Sequence, residues 1–188
     1  MELTIRIGHD GTVTRLADLI ASVAAIDAQH DGDRTFTALA LHRGDFYVGT
    51  LGRIDTGFAA SVYRVSRDGR RVAEVASGFH GVVGIAFDRQ DRMLVLETTD
   101  SSFPPLSNPA AGRLLRVERN GSLTPLVTNL TFPSALIAGR EGEFYVSVCG
   151  FHCDRPLTGP GPRVSLESGQ VLRVDVDRHP SWRDDDED

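Results

Sequence analysis

The chain has 188 residues, of which 40% are hydrophobic and 24% charged, with a net charge of −6. This balance suits one globular domain. All basic residues are arginines and none clusters with aromatic residues, which argues against a nucleic-acid-binding surface. No apolar run approaches the ~20 residues of a membrane span, and the N-terminus has no positive leader before an apolar stretch. We therefore expect no membrane partner and no signal peptide.

In chain order, a pair of apolar runs joined by a short polar turn occurs three times. The first runs are residues 36–41, 82–87 and 135–138, and the second runs are residues 46–49, 93–96 and 144–146. Aromatic and β-branched residues between glycine-rich polar breaks favour β-hairpins. The repeat therefore predicts three hairpins of the same kind.

A second type of hairpin alternates with the first. Its strands are predicted at residues 3–7 and 12–16, 61–65 and 72–76, and 113–117 and 123–127, and a last strand covers residues 170–174. The turns carry Asp-Gly or Asn-Gly, which predicts type I′ turns with two positive φ angles.

Four arginines mark the same place in successive units. Arg6, Arg64, Arg116 and Arg173 are separated by 58, 52 and 57 residues. A four-stranded antiparallel unit of about 50 residues is the size of one β-propeller blade. We therefore predict an all-β fold, with residues 1–176 forming a partial ring of about three to four blades. Residues 177–188 are predicted to be a disordered acidic tail.

The strand count has a consequence for assembly. Propellers are closed rings of ~4–8 blades, and unpaired sheet edges invite association. We expect either a part of a larger propeller or self-association that closes the ring.

The connections between the second and third strands of each unit are long, at residues 51–60, 98–112 and 149–169. They fall at one end of the predicted blades, where functional residues of rigid scaffolds usually lie. Apolar residues at helical spacing predict a short helix over residues 17–29 at the same end.

Several segments together resemble a known family. FPSALIA (132–138) with GEFYVS (142–147) is similar to an NHL-type propeller repeat. The order of the pieces resembles the ScyD/ScyE family: VYRV (62–65), SGF (77–79), LVLE (94–97), GRLLRV (112–117), TNLTFP (128–133) and GQVLRV (169–174). The resemblance implies the C-terminal half of a six-bladed propeller whose full-length members are extracytoplasmic.

The resemblance favours a non-catalytic binding module without a cofactor, which takes a small molecule or a protein at its long-loop face. The alternative is a Ca²⁺-dependent lactonase or esterase, because such enzymes are also six-bladed propellers. Their calcium ligands lie at the inner strand ends, where this chain has no acidic residue among Thr35–Thr37, His80–Val82 and Thr131–Ser134.

Carboxylates in the long loops are candidate ligand-binding residues. Glu97 and Asp100 are three residues apart after a predicted strand, and Asp55 lies in the first long loop. Such a pair suits acid–base or metal chemistry, although carboxylates at loop ends also cap turns or pair with arginine.

The histidines and cysteines complete the candidate site. His80 precedes the predicted strand at residues 82–87, which would be the innermost strand of its blade. It either faces a ligand or is a neutral, hydrogen-bonded histidine. His152 lies between Cys149 and Cys153. This stretch is compatible with a disulfide, with two free thiols or with a metal site.

Overall fold

A computed structural model describes residues 3–18, 35–52, 59–98, 111–140, 142–149 and 169–176. These residues form thirteen strands and no helix. In chain order the strands are β1 (Leu3–Ile7), β2 (Val13–Asp18), β3 (Phe36–His42), β4 (Asp45–Thr50), β5 (Ala60–Val65), β6 (Val72–Phe79), β7 (Val82–Phe87), β8 (Met93–Glu97), β9 (Gly112–Val117), β10 (Leu123–Leu130), β11 (Ala135–Ala138), β12 (Glu143–Val148) and β13 (Gln170–Asp175).

Every sheet is antiparallel and its strands follow one another along the chain. β1 and β2 form a hairpin, β3 to β6 the first sheet, β7 to β10 the middle sheet, and β11 to β13 the last sheet. The predicted all-β fold of repeated antiparallel units is confirmed. The tail at residues 177–188 lies outside the described residues.

The predicted helix at residues 17–29 begins in the wrong place. Ala17 and Asp18 belong to β2, where they pair with Thr4 and Leu3 of β1. This pairing satisfies their backbone groups, so local helical spacing does not decide the conformation of these two residues. Residues 19–29 lie outside the described part of the chain.

The Asp-Gly and Asn-Gly turns are not of the predicted type I′. Their glycines have positive φ, at 79° for Gly11, 73° for Gly69 and 82° for Gly121, but the preceding Asp or Asn does not. Instead that side chain accepts a hydrogen bond from a backbone N–H two residues later, as in Asp10 to Thr12 (3.0 Å) and Asn120 to Ser122 (3.0 Å). Asp and Asn therefore act as turn acceptors, and only glycine takes the left-handed conformation.

A turn with two positive φ angles joins β3 to β4. Arg43 has φ 49° and Gly44 has φ 87°, between the paired residues His42 and Asp45. This is the geometry of a two-residue type I′ hairpin, which matches the twist of the flanking strands.

The middle sheet is buried on both faces, and all five residues of β8 are buried. One face packs on the first sheet, in a core of Ala38, Ala60, Val62, Phe79, Val82, Ile85, Met93, Val95 and Leu115. The other face packs on the last sheet, in a core of Ala86, Leu94, Leu96, Leu114, Leu130, Phe144, Val146 and Val148. Met93 and Val95 face one way while Leu94 and Leu96 face the other, as the pleat requires.

The three first strands of the sheets, β3, β7 and β11, lie next to one another and run in the same direction. At their beginnings the Thr37 hydroxyl donates a hydrogen bond to the carbonyl of Val82. At the other end, the His42 ring stacks on Phe87 at a centroid distance of 3.8 Å. Gly84 of β7 lies so close to β11 that a Cβ there would be 2.5 Å from the Leu136 Cβ. Consequently the ends of β4, β8 and β12 gather at one end of the stack, which we call the loop end.

Candidate functional site

Glu97 is the last residue of β8 and is completely buried at the loop end. Its Oε2 accepts hydrogen bonds from Arg113 Nε (2.9 Å) and Nη2 (2.5 Å). Its Oε1 accepts a hydrogen bond from the backbone N–H of His80 (2.8 Å). Both carboxylate oxygens are therefore engaged.

The strand pairing positions this ion pair. Glu97 and Arg113 are direct partners in the register of β8 and β9. Arg113 thus presents its guanidinium to a neighbour on the same face of the sheet. A buried carboxylate is tolerable only when it is paired and hydrogen-bonded. The geometry therefore assigns Glu97 a role in holding the loop end together.

His80 lies between the last residue of β6 and the first of β7, and its side chain is 37% exposed. Its Nδ1 is buried without a hydrogen-bond partner among the described residues. The nearest carboxylate oxygen, Glu97 Oε1, is 3.8 Å away, which is beyond hydrogen-bonding distance. The imidazole is thus held at the site by its backbone and retains hydrogen-bonding capacity.

Gly81 brings the His80 segment close to the end of β8. It has φ 76°, and a Cβ there would be 2.8 Å from the Thr98 Cγ2. The Thr98 N–H donates to the Gly81 carbonyl at 2.9 Å. Only glycine combines this positive φ with such a close approach at no steric cost, which fixes the backbone on which His80 sits.

Cys149 anchors the third long loop. It is buried, has φ 57°, and its N–H donates to the Thr131 carbonyl at 3.0 Å. Its carbonyl accepts a hydrogen bond from the Gly169 N–H (3.2 Å), so both ends of the loop meet here. Cys149 is disulfide-bonded. Cys153 lies outside the described residues, and the Cys149–Cys153 pairing stays a prediction.

The structure therefore brings two of the predicted site residues together, His80 and Glu97. Asp55, Asp100 and His152 lie outside the described residues, so their predicted roles stay untested. Among the described residues no group of three or more His, Cys, Asp or Glu side chains is arranged to hold a metal ion. Within that same part of the chain, no helix is long and apolar enough to cross a membrane.

Sequence reasoning missed the role of Arg113. The sequence places Arg113 in a predicted strand but does not show that it pairs with Glu97. Its position at the beginning of a strand, across a long loop from a strand-terminal Glu, was the available signal. Adjacent antiparallel strands place such residues opposite one another.

A second polar cluster, also missed, lies at the opposite end of the same two sheets. His42 stacks on Phe87 with an interplanar angle of 8°, and Tyr47 meets both rings edge-on. His42 Nε2 lies 3.1 Å from Asp91 Oδ1, and Arg43 also pairs with Asp91. These contacts join the turns of neighbouring sheets, so we regard the cluster as a structural clamp.

Three of the four repeated arginines have defined partners. Arg64 pairs with Asp45, Arg116 with Glu118 and Arg173 with Glu143. The hydrogen bond from Arg64 to Asp45 raises the pKa of Arg64, and the hydrogen bond from Arg116 lowers the pKa of Glu118. Surface pairs of this kind contribute little individually, so the repetition marks strand position and not a catalytic role.

Comparison with known proteins finds no matching family model and no matching curated protein. The solved structures that are similar to this chain include two at low identity. One is a protein of unknown function from Bacteroides caccae, with a TM-score of 0.40 and 13% identity over 64% of this chain and 41% of that chain. The other is the major Malassezia sympodialis allergen Mala s 1, with a TM-score of 0.40 and 12% identity over 87% of this chain and 48% of that chain. The matches span less than half the length of each of these two proteins.

Proposed function

We propose that the three sheets are blades of an NHL-like β-propeller of the six-bladed, ScyD/ScyE-like type. Sequential antiparallel strands, four in the first and middle sheets and three in the last, with β3 and β11 on either side of β7, support this assignment. Propeller blades are four-stranded units of this order, packed around an axis lined by their first strands.

The function that this arrangement supports best is non-catalytic binding at the loop end. One observation carries the proposal: Glu97 is fully engaged by Arg113 and the His80 backbone, whereas the His80 imidazole is partly exposed and not hydrogen-bonded to a described residue. A general acid or base must reach the reacting group of a substrate. A carboxylate that is completely buried in an ion pair is poorly placed for that role.

The His80 side chain is instead suited to recognition. An imidazole both donates and accepts hydrogen bonds. The exposed part of the His80 ring is accessible to a ligand, whereas the buried Nδ1 lies 3.8 Å from Glu97 Oε1. Side chains at the ends of rigid strands are commonly used for binding. We assign to this site a small polar molecule or a polar protein segment.

Thermal unfolding of the protein with a panel of lactones, aryl esters and polar metabolites, each with and without Ca²⁺, tests the proposal. We expect at least one compound to raise the unfolding temperature without being turned over. His80→Ala should abolish that increase. The matched control is His9→Ala, which alters an exposed histidine in the β1–β2 turn and should leave the increase intact.

Two outcomes would overturn the proposal. Ca²⁺-dependent hydrolysis of a lactone would favour the hydrolase alternative. An increase in unfolding temperature that is the same in the wild type, His80→Ala and His9→Ala would show that the loop end is not the binding site.

A further inference from the structure

Two leucines on the first sheet are exposed at positions that are covered in the middle sheet. Leu39 is 63% and Leu41 67% exposed on β3. In the first sheet, Leu39 pairs with Val48 and Leu41 with Phe46. In the middle sheet, Ile85 pairs with Val95 and Phe87 with Met93, so Leu39 corresponds to Ile85 and Leu41 to Phe87. Ile85 is only 5% exposed because that side of the middle sheet packs on the first sheet. Leu39 and Leu41 therefore form an apolar strip, the β3 strip, at the place that Ile85 and Phe87 take in β7. The strip is confined to β3, because Val48 and Val65 on the same face of the first sheet are already buried.

The last sheet exposes an apolar face on its opposite side. Ile137 is 66% and Val171 69% exposed, whereas Phe144 and Val146, on the other face of the same sheet, are buried against the middle sheet. In the first sheet the position of Val171 is taken by Val62, which the middle sheet covers completely. We call the exposed side of β11 to β13 the β11 face.

The β11 face repeats several residues of the covered face of the first sheet. Tyr145 takes the place of Tyr47, Arg173 that of Arg64, and Glu143 that of Asp45, as the register of each sheet requires. Glu143 pairs with Arg173 as Asp45 pairs with Arg64. The covered face of the first sheet packs on β7, with Tyr47 edge-on to Phe87 at 4.7 Å.

A contact within the chain therefore shows how a contact between two chains could form. The first sheet and β7 form a buried interface; the β11 face copies the first-sheet half, and the β3 strip copies the β7 half. We infer that the β11 face of one molecule docks on the β3 strip of a second copy, with Tyr145 against Leu41 as Tyr47 lies against Phe87. The interface is heterologous, so the copies associate head to tail.

A symmetric contact between two β3 strips fits less well. In the existing interface, large side chains of β7 such as Val82 meet small ones of the first sheet, and a Cβ at Gly49 would clash with Val82. Two β3 strips would oppose large leucines with large leucines. The β11 face offers Ala135 at the position of Ala38, a small residue of the kind that the existing interface uses.

This inference goes beyond the binding role of the loop end and does not depend on it. The molar mass of the chain, measured by size-exclusion chromatography with light scattering over a range of concentrations, tests it. We expect wild-type protein to reach the mass of two or more chains as concentration rises. Leu39→Glu and Ile137→Glu should each give monomers, because each destroys one half of the head-to-tail contact.

The decisive measurement is an equimolar mixture of the two variants. Each variant keeps the half that the other lacks, so the mixture should recover a dimer. If like faces met instead, one of the two variants would keep its contact and would still dimerise alone. That result, or a wild-type monomer at every concentration, would overturn the inference.

Three controls keep the result interpretable. Val75→Glu changes an apolar residue of β6 that is 43% exposed and should not alter the mass. Leu41→Glu and Val171→Glu form a second pair of variants, in case one of the first pair does not fold by circular dichroism. His80→Ala should leave the mass unchanged, which separates self-association from binding at the loop end.

Discussion

Glu97 and Arg113 face each other across β8 and β9, with two guanidinium nitrogens on one oxygen of a carboxylate that solvent does not reach. The other oxygen holds the backbone of His80. This single side chain therefore connects the middle sheet to the segment that leads from the first sheet. The position of His80 in the candidate site therefore depends on an ion pair that also stabilises the fold.

We predict that Arg113→Met destabilises the protein by about 3–5 kcal/mol, because it leaves a buried carboxylate without its counter-charge. Chemical denaturation followed by circular dichroism measures the loss. The double variant Arg113→Met with Glu97→Gln removes the stranded charge and should recover a large part of it.

The matched control is Arg116→Met, three residues along the same strand, which breaks the pair with Glu118, a carboxylate that is 26% exposed whereas Glu97 is completely buried. We expect a smaller loss there, since solvent reaches the Glu118 carboxylate and can screen it when its partner is removed. Equal losses for Arg113→Met and Arg116→Met would contradict the assigned role of Glu97.

A second prediction concerns the cysteines. Since Cys149 is disulfide-bonded and the chain has two cysteines, denatured protein without reductant should show no free thiol, and reduced protein should show two. If Cys153 is the partner, the closed loop is short, and Cys149→Ser should cost about 2 kcal/mol in the chain-entropy account. Two reactive thiols in unreduced, denatured protein would refute the disulfide.

The strands were predictable from sequence because each unit alternates apolar runs with turn residues. The runs around Ala38, Gly84 and Ala135 were placed within one or two residues of the strand limits. The turn type was not predictable from the dipeptide, because Asp10 and Asn120 use their side chains as acceptors and leave the positive φ to glycine alone.

The candidate site was only partly predictable. His80 and Glu97 were chosen as separate candidates from their positions at strand ends. Their connection through Arg113 depends on which residue of β9 stands opposite Glu97. A long loop joins the two strands, and its sequence does not fix their register. The stacking of His42 on Phe87 depends on how two sheets pack, which no local pattern encodes.

A third prediction concerns acid. Hydrogen bonds from the Thr12 hydroxyl and backbone N–H hold the pKa of Asp10 below its usual value of 3.8. A carboxyl whose pKa is lower in the folded state stabilises that state above the unfolded pKa, and this contribution is lost as pH falls through the folded pKa. NMR titration of the Thr12 amide should therefore give a midpoint below 3.8.

The matched variant is Asp10→Asn. Asn120 makes the equivalent hydrogen bonds to the Ser122 N–H and hydroxyl in the middle-sheet turn. Asn should therefore preserve the turn while removing the titration. A Thr12 amide that still titrates at the same pH in Asp10→Asn would show that another group is responsible.

The last prediction separates backbone strain from side-chain packing at the end of β10. Asn129 has φ 60°, and in the first sheet the corresponding position before the last strand residue is Gly78, with φ 87°. Both positions are exposed and lie in bulges, so their side chains contribute little packing. The left-handed conformation costs a residue with a Cβ about 1–2 kcal/mol, and Asn bears it better than most.

We therefore expect Asn129→Ala and Gly78→Ala each to lower the free energy of unfolding by about 1 kcal/mol, while Asn129→Gly is neutral or slightly stabilising. The control Thr128→Ala changes the exposed neighbour without altering a left-handed residue. Urea denaturation of the four variants gives the comparison. If Asn129→Ala and Thr128→Ala lose the same amount, the loss comes from the side chains and the left-handed backbone is not the cause.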